Sequence, residues 1–173
     1  ATKFTGLTPN RSYPFKAKAR NAGGSETTEI VSSTYTLAAV AGPVSGSTFT
    51  AVSSFSVTVG YSSGTSAGGF NASGATYLVQ VSSDSNFYSG NISSQTKNLS
   101  ASFVVLSSST LYYARVQAAN NVMVWGNFFS LGSFKTTNIT ITGVQFTAVS
   151  STTLSVSWTL DTPGSETPEV ALS

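Results

Sequence analysis

Few side chains in this sequence could carry chemistry, and they stand in three places. Asp84, in Ser82-Ser83-Asp84-Ser85-Asn86, resembles part of a calcium loop. A hard cation needs several converging oxygens, however, and no second acid lies nearby in sequence, so a loop cap is the expected role. Asp161, Glu166 and Glu169 lie close together further on. Two carboxylates can cleave a glycosidic bond, but a solvated acidic loop is the plainer expectation. Lys16, Lys18 and Arg20 alternate with Phe15, Ala17 and Ala19, which reads as a strand with a basic stripe outside and apolar residues inside. The stripe is either a solvent face or a docking line for an anionic partner such as a surface polysaccharide.

The absences say more. The 173 residues include no His and no Cys, which removes the common zinc sites, thiol catalysis, disulfides and the Ser-His-Asp relay. No catalytic residue, metal site or cofactor is expected. Charged residues make up 8% of the chain, and the formal net charge is +2. The basic balance is thus an excess of two among fourteen charges, and nucleic-acid binding needs clustered Lys and Arg, so no nucleic acid is expected. No stretch reaches the 18 consecutive apolar residues that a membrane span needs, so none is expected. Ser and Thr fill 56 positions, yet 40% hydrophobic and 12% aromatic residues suffice for packed cores.

Two segments recur. Leu7, Tyr13, Ala19 and Asn21 match Leu106, Tyr112, Ala118 and Asn120 at an offset of 99. The stretch Phe49-Thr-Ala-Val-Ser-Ser matches Phe146-Thr-Ala-Val-Ser-Ser at an offset of 97, and it runs on to Tyr61 and Trp158 respectively. A repeating unit of about 97 to 99 residues follows. Within it the pattern is all strand. Phe55, Val57, Val59 and Tyr61 alternate with polar residues or Gly, as do Tyr77, Val79 and Val81, and Tyr112, Ala114, Val116 and Ala118. These residues, with Phe103, Val105 and Leu106, are the expected core. Short strands separated by Ser/Gly/Asn loops predict an all-β sandwich.

These motifs resemble the fibronectin type III repeat, in the bacterial-type form that occurs as tandem surface repeats. Its F strand carries a Leu, a Tyr six residues on, and a closing Asn, found here as Leu7, Tyr13 and Asn21 and again as Leu106, Tyr112 and Asn120. Its B-strand Trp is matched by Trp158 and replaced by Tyr61; its corner Pro is matched by Pro9 and replaced by Ser108. The resemblance implies tandem immunoglobulin-like sandwiches. Residues 1–37 would supply strands E, F and G of one repeat, 38–137 a complete repeat, and 138–173 strands A, B and the start of C. It also implies that each corner tyrosine packs its ring inward while its hydroxyl bonds backbone near the preceding turn.

Between strands F and G of the complete repeat stands Val122-Met123-Val124-Trp125, where the first unit has Gly23-Gly-Ser-Glu26. Either Trp125 folds back over its own sandwich or the loop is an interface, since Trp and Met favour contacts between proteins. The functional expectation is a non-catalytic, extracellular or cell-surface segment that self-associates with neighbouring copies or repeats. It would build a filament, stalk or sheath. The alternative is a spacer or adhesion repeat attached to an extracellular carbohydrate-active enzyme or binding module. The two partial repeats are complementary in strands, so each is expected to be completed by continuing chain or by another copy in a head-to-tail assembly.

Overall fold

The computed structural model describes residues 2–160. Its elements are all strands: β1 (Ser12–Ala17), β2 (Ile30–Tyr35), β3 (Phe49–Thr50), β4 (Val57–Gly60), β5 (Gly64–Thr65), β6 (Gly69–Phe70), β7 (Thr76–Ser82), β8 (Ile92–Thr96), β9 (Ser100–Phe103), β10 (Leu111–Ala119), β11 (Phe129–Lys135), β12 (Ile141–Val149) and β13 (Leu154–Leu160). Residues 38–137 form two facing sheets, one ordered β3-β4-β9 and the other β11-β10-β7-β8. All pairings are antiparallel. On either side lies one antiparallel hairpin, β1-β2 before the sandwich and β12-β13 after it. The start of strand C, expected near Leu172, and the Asp161, Glu166 and Glu169 group lie outside the described residues.

The period-two pattern determines which face each strand buries. Val57, Val59 and Tyr61 from the three-stranded side meet Tyr77, Val79, Val81, Tyr112, Ala114, Val116 and Ala118 from the four-stranded side, all buried with Phe103 and Leu106. Two expected core residues lie elsewhere. Phe55 is only half-buried, because it precedes β4 in the turn whose backbone oxygen accepts the Leu106 amide (2.9 Å). Val105 is 85% exposed. Its φ is +62°, so the chain turns over there instead of extending, and alternation fails at that residue. Strand E, expected near Phe4, is also absent: residues 2–11 contain no strand, and the Phe4 ring lies 5.7 Å from that of Phe15, both exposed.

The left-handed positions repeat with the sequence. Gly6, Asn10 and Gly24 have φ of +72°, +53° and +86°, and 99 residues on, Val105, Ser109 and Met123 have +62°, +50° and +60°. The first unit fills these turns with residues that tolerate the conformation; the complete repeat places Val and Met in them. A β-branched residue there is a true outlier. Left-handed backbone costs about 1–2 kcal/mol for a non-glycine residue, and glycine gives back about 0.4–1 kcal/mol through its looser unfolded chain. Val105→Gly is therefore expected to stabilise the protein by about 1 kcal/mol in urea denaturation. A loss of stability, the usual outcome of adding glycine, would refute the strain.

Burial pushes Tyr61 and Tyr77 upward in pKa. Tyr61 rises above the usual tyrosine range through desolvation and its neighbour Tyr77, and Tyr77 rises through desolvation, partly offset by a hydrogen bond with Asn71. In the unfolded chain both titrate near 10. The folded state thus keeps its protons where the unfolded state releases them. The stability this contributes is complete below pH 10 and is lost as pH rises toward the folded values. The urea midpoint is expected to fall continuously above about pH 10. A flat profile to pH 12 would contradict the burial of the hydroxyls.

Candidate junction and surface sites

The hydroxyls of both corner tyrosines bond backbone as the resemblance implied, and the ring of Tyr112 packs inward. The Ser107 amide donates to the Tyr112 hydroxyl (3.0 Å), and the Thr8 amide donates to the Tyr13 hydroxyl (2.9 Å) at the equivalent place in the first unit. The Tyr112 ring is buried against Phe134, 5.7 Å between centroids; that of Tyr13 is half-buried. Tyr112→Phe is expected to cost about 1 kcal/mol, the net value of a paired hydroxyl. An unchanged urea midpoint would show the corner bond to be energetically idle.

The same corner of the first unit makes a contact that sequence reasoning missed. Asn10, held left-handed at its tip, is 1% exposed. Its side-chain amide donates to the carbonyls of Ala72 (3.0 Å) and Ser73 (3.4 Å), and its side-chain oxygen accepts the Asn121 amide (2.7 Å). The Ala72 amide donates to the Pro9 carbonyl (3.1 Å), and the Asn120 side chain to the Thr36 carbonyl (3.1 Å). The loops after β6 and β10 therefore grip the turn before β1. A Cβ on Gly69 would lie 3.2 Å from the Pro9 ring, so the approach is close on that side too. At the other end Ser54, also buried, donates to the Asn138 carbonyl (2.8 Å), and the Thr137 amide donates to the Ser53 carbonyl (3.1 Å). The linkers on both sides are thus bonded to the poles of the sandwich. The only sequence signal at Asn10 is an Asn-x-Ser triplet, which says nothing of this role.

The surface candidates fare differently. Lys16 pairs with Glu29 at 2.8 Å and Lys18 with Glu26, while Arg20 bridges backbone to Glu26. The basic stripe is therefore largely answered by acids on the return arm of its own hairpin. Val122, Met123 and Val124 stay exposed, whereas Trp125 is half-buried and pairs backbone with Ala119. Asn120 caps this loop, its side-chain oxygen accepting the Val122 (3.2 Å) and Val124 (2.9 Å) amides. Asp84 is a loop cap: its two oxygens accept the Asn86 and Tyr88 amides (2.9 Å each), and the backbone bonds hold its pKa below the usual carboxylate value. Among the described residues no three His, Cys, Asp or Glu side chains converge. No helix among them is long and apolar enough to cross a membrane.

Three strands facing four, with a tyrosine corner between the sheets, decide the architecture. The fold is fibronectin type III-like. No protein-family model and no curated protein matches the chain. Among solved structures it is similar to the chicken CNTN1 FN1-FN3 domains, at 18% identity and a TM-score of 0.43, covering 79% of this chain and 44% of that one. It is also similar to domains A168-A170 from titin, at 20% identity and a TM-score of 0.43, covering 64% and 37%. The chain spans less than half the length of either.

Proposed function

We propose that the protein is a non-catalytic structural segment of an extracellular repeat protein, a building block of a cell-surface filament, stalk or sheath. The observation that carries this reading is the junction at Asn10. A flexible spacer needs no side chain buried between units, whereas a load-bearing rod needs its modules fixed in register. Five hydrogen bonds join the first unit and its linker to loops of the next, and a buried, fully paired amide specifies one orientation. Low charge and abundant hydroxyls suit close lateral packing, because weak net repulsion favours association. Neighbouring copies or repeats are the partners in this reading.

The absence of cysteine makes the test direct. Spin labels on cysteines introduced at exposed Ser33 and Ser133 report the distance between the two units. A rod gives one narrow distance distribution. A distribution as broad as that of a flexible linker rejects the structural role in favour of a spacer.

A further inference from the structure

We propose that Arg115 anchors a binding site for the carboxylates of an acidic polysaccharide rich in uronic acid. This stands apart from the junction and does not depend on the filament reading. Arg115 lies on β10, on the face of the four-stranded sheet turned away from the core. Its guanidinium carbon sits 4.1 Å from the ring centre of Phe87 and 4.0 Å from that of Phe128. Its Nε donates to the side-chain oxygen of Gln80 (2.9 Å), whose own amide donates to Ser93 (3.0 Å). Rings therefore cover the plane, and Gln80 fixes one edge. The two terminal nitrogens have no hydrogen-bond acceptor among the described residues, and no buried side-chain nitrogen there lacks a partner, so both reach solvent.

Such a fork is a preorganised receptor for a planar anion, because two parallel N–H groups match a carboxylate and little rotamer entropy remains to be lost. The surroundings are built to hold it. The Asp84 cap orders the loop that places Phe87 over the cation, and Phe87 itself is strained at φ +59°. The register of β10 against β11 shifts between Ala114, which faces Gly132 (φ +94°), and Arg115, which faces Ser130, a bulge that redirects side chains locally. A thioether or aliphatic chain would fill the space between two rings without desolvating a charge, so packing alone does not call for a cation. Among the described residues none supplies a counter-ion: Glu26 and Glu29 pair with lysines and Asp84 is engaged by backbone amides.

A sugar polymer fits this face better than an acidic peptide. The residues around the fork present hydroxyls and amides, from Gln80, Ser93, Tyr113 and Ser130, and Tyr88 beside Phe87 is 88% exposed. A peptide strand would seek the unpaired backbone of a sheet edge, and Arg115 lies on the second strand in, between β7 and β11.

The test is nuclear magnetic resonance of the full chain, following the backbone amides of Gln80, Tyr113 and Ser130 around residue 115, and in the parent also the Arg115 Nε–H, during titration with tetragalacturonate, a neutral tetrasaccharide and a tetraglutamate peptide. Tetragalacturonate is expected to shift these signals saturably, and the other two are not. Arg115→Gln should abolish the response. Arg115→Lys, which keeps the charge and loses the fork, should weaken it at least tenfold, and it decides the matter if the glutamine variant does not fold. The proposal is overturned by no saturable shift, by an undiminished response in the folded variants, or by tetraglutamate binding as well as the sugar acid.

Discussion

Truncating Tyr61 to alanine is expected to remove about 3–5 kcal/mol of stability, the range for deleting a large buried ring. Tyr61 is the largest fully buried side chain, 1% exposed, and its ring lies 5.2 Å from that of Tyr77 across the core. Its hydroxyl donates to the Asn98 carbonyl (2.7 Å) in the turn between β8 and β9. The alanine variant therefore loses buried area, a ring contact and the partner of a carbonyl together. The neighbours Val57, Val59 and Val79 are β-branched and stiff at χ1, so they refill the space poorly. Total stabilities of single domains run to about 5–15 kcal/mol, so the change consumes a large part of the whole. Tyr61→Phe separates the contributions: it keeps the ring and should cost about 1 kcal/mol. The measurement is urea denaturation of the full chain, and a loss below about 1 kcal/mol for the alanine variant would place Tyr61 outside the core.

The sandwich was legible because strand burial follows a local rule. Alternation from Val57 to Tyr61, from Tyr77 to Val81 and from Tyr112 to Ala118 is visible in a dozen residues, and the structure places every one of those apolar positions inside. The tyrosine corner was legible from one spacing. Alternation failed where the backbone leaves the extended region. Val105 continued an apolar run in sequence but occupies a left-handed turn, and only its alignment with Gly6 hints at it. Phe134 is buried because the bulge beside Gly132 shifts the parity of β11, so simple alternation from Phe129 and Leu131 does not reach it. Lys16 and Lys18 looked like free charges because their acids come from the hairpin's other arm, Glu29 and Glu26. The Arg115 clamp and the Asn10 contacts could not be read at all. Their partners are brought together by tertiary packing, at sequence separations up to 111 residues for Asn10.

That distance makes Asn10 the most informative residue to change. Asn10→Ala deletes the donor to the Ala72 and Ser73 carbonyls and the acceptor of the Asn121 amide, three part-buried hydrogen bonds that all end on the one fully buried amide of Asn10. An unsatisfied buried group costs about 1–3 kcal/mol, so the closed junction should weaken by about that much while the core of the 38–137 sandwich, which Asn10 does not touch, keeps its stability. Hydrogen exchange reads the difference residue by residue. The Asn121 amide should exchange at least about tenfold faster, since each 1.4 kcal/mol of opening is a factor of ten, while amides of Val79 and Val116 keep their protection. Asn10→Asp is the sharper control. It preserves size and the acceptor for Asn121 but sets a carboxylate against two carbonyls, so it should open the junction at neutral pH and restore it in part as the acid protonates toward pH 4. Spin-label distances between the units should broaden in step with the exchange. If the Asn121 amide is as protected in both variants as in the parent, the two units are held by something other than Asn10, and the rigid register loses its physical basis.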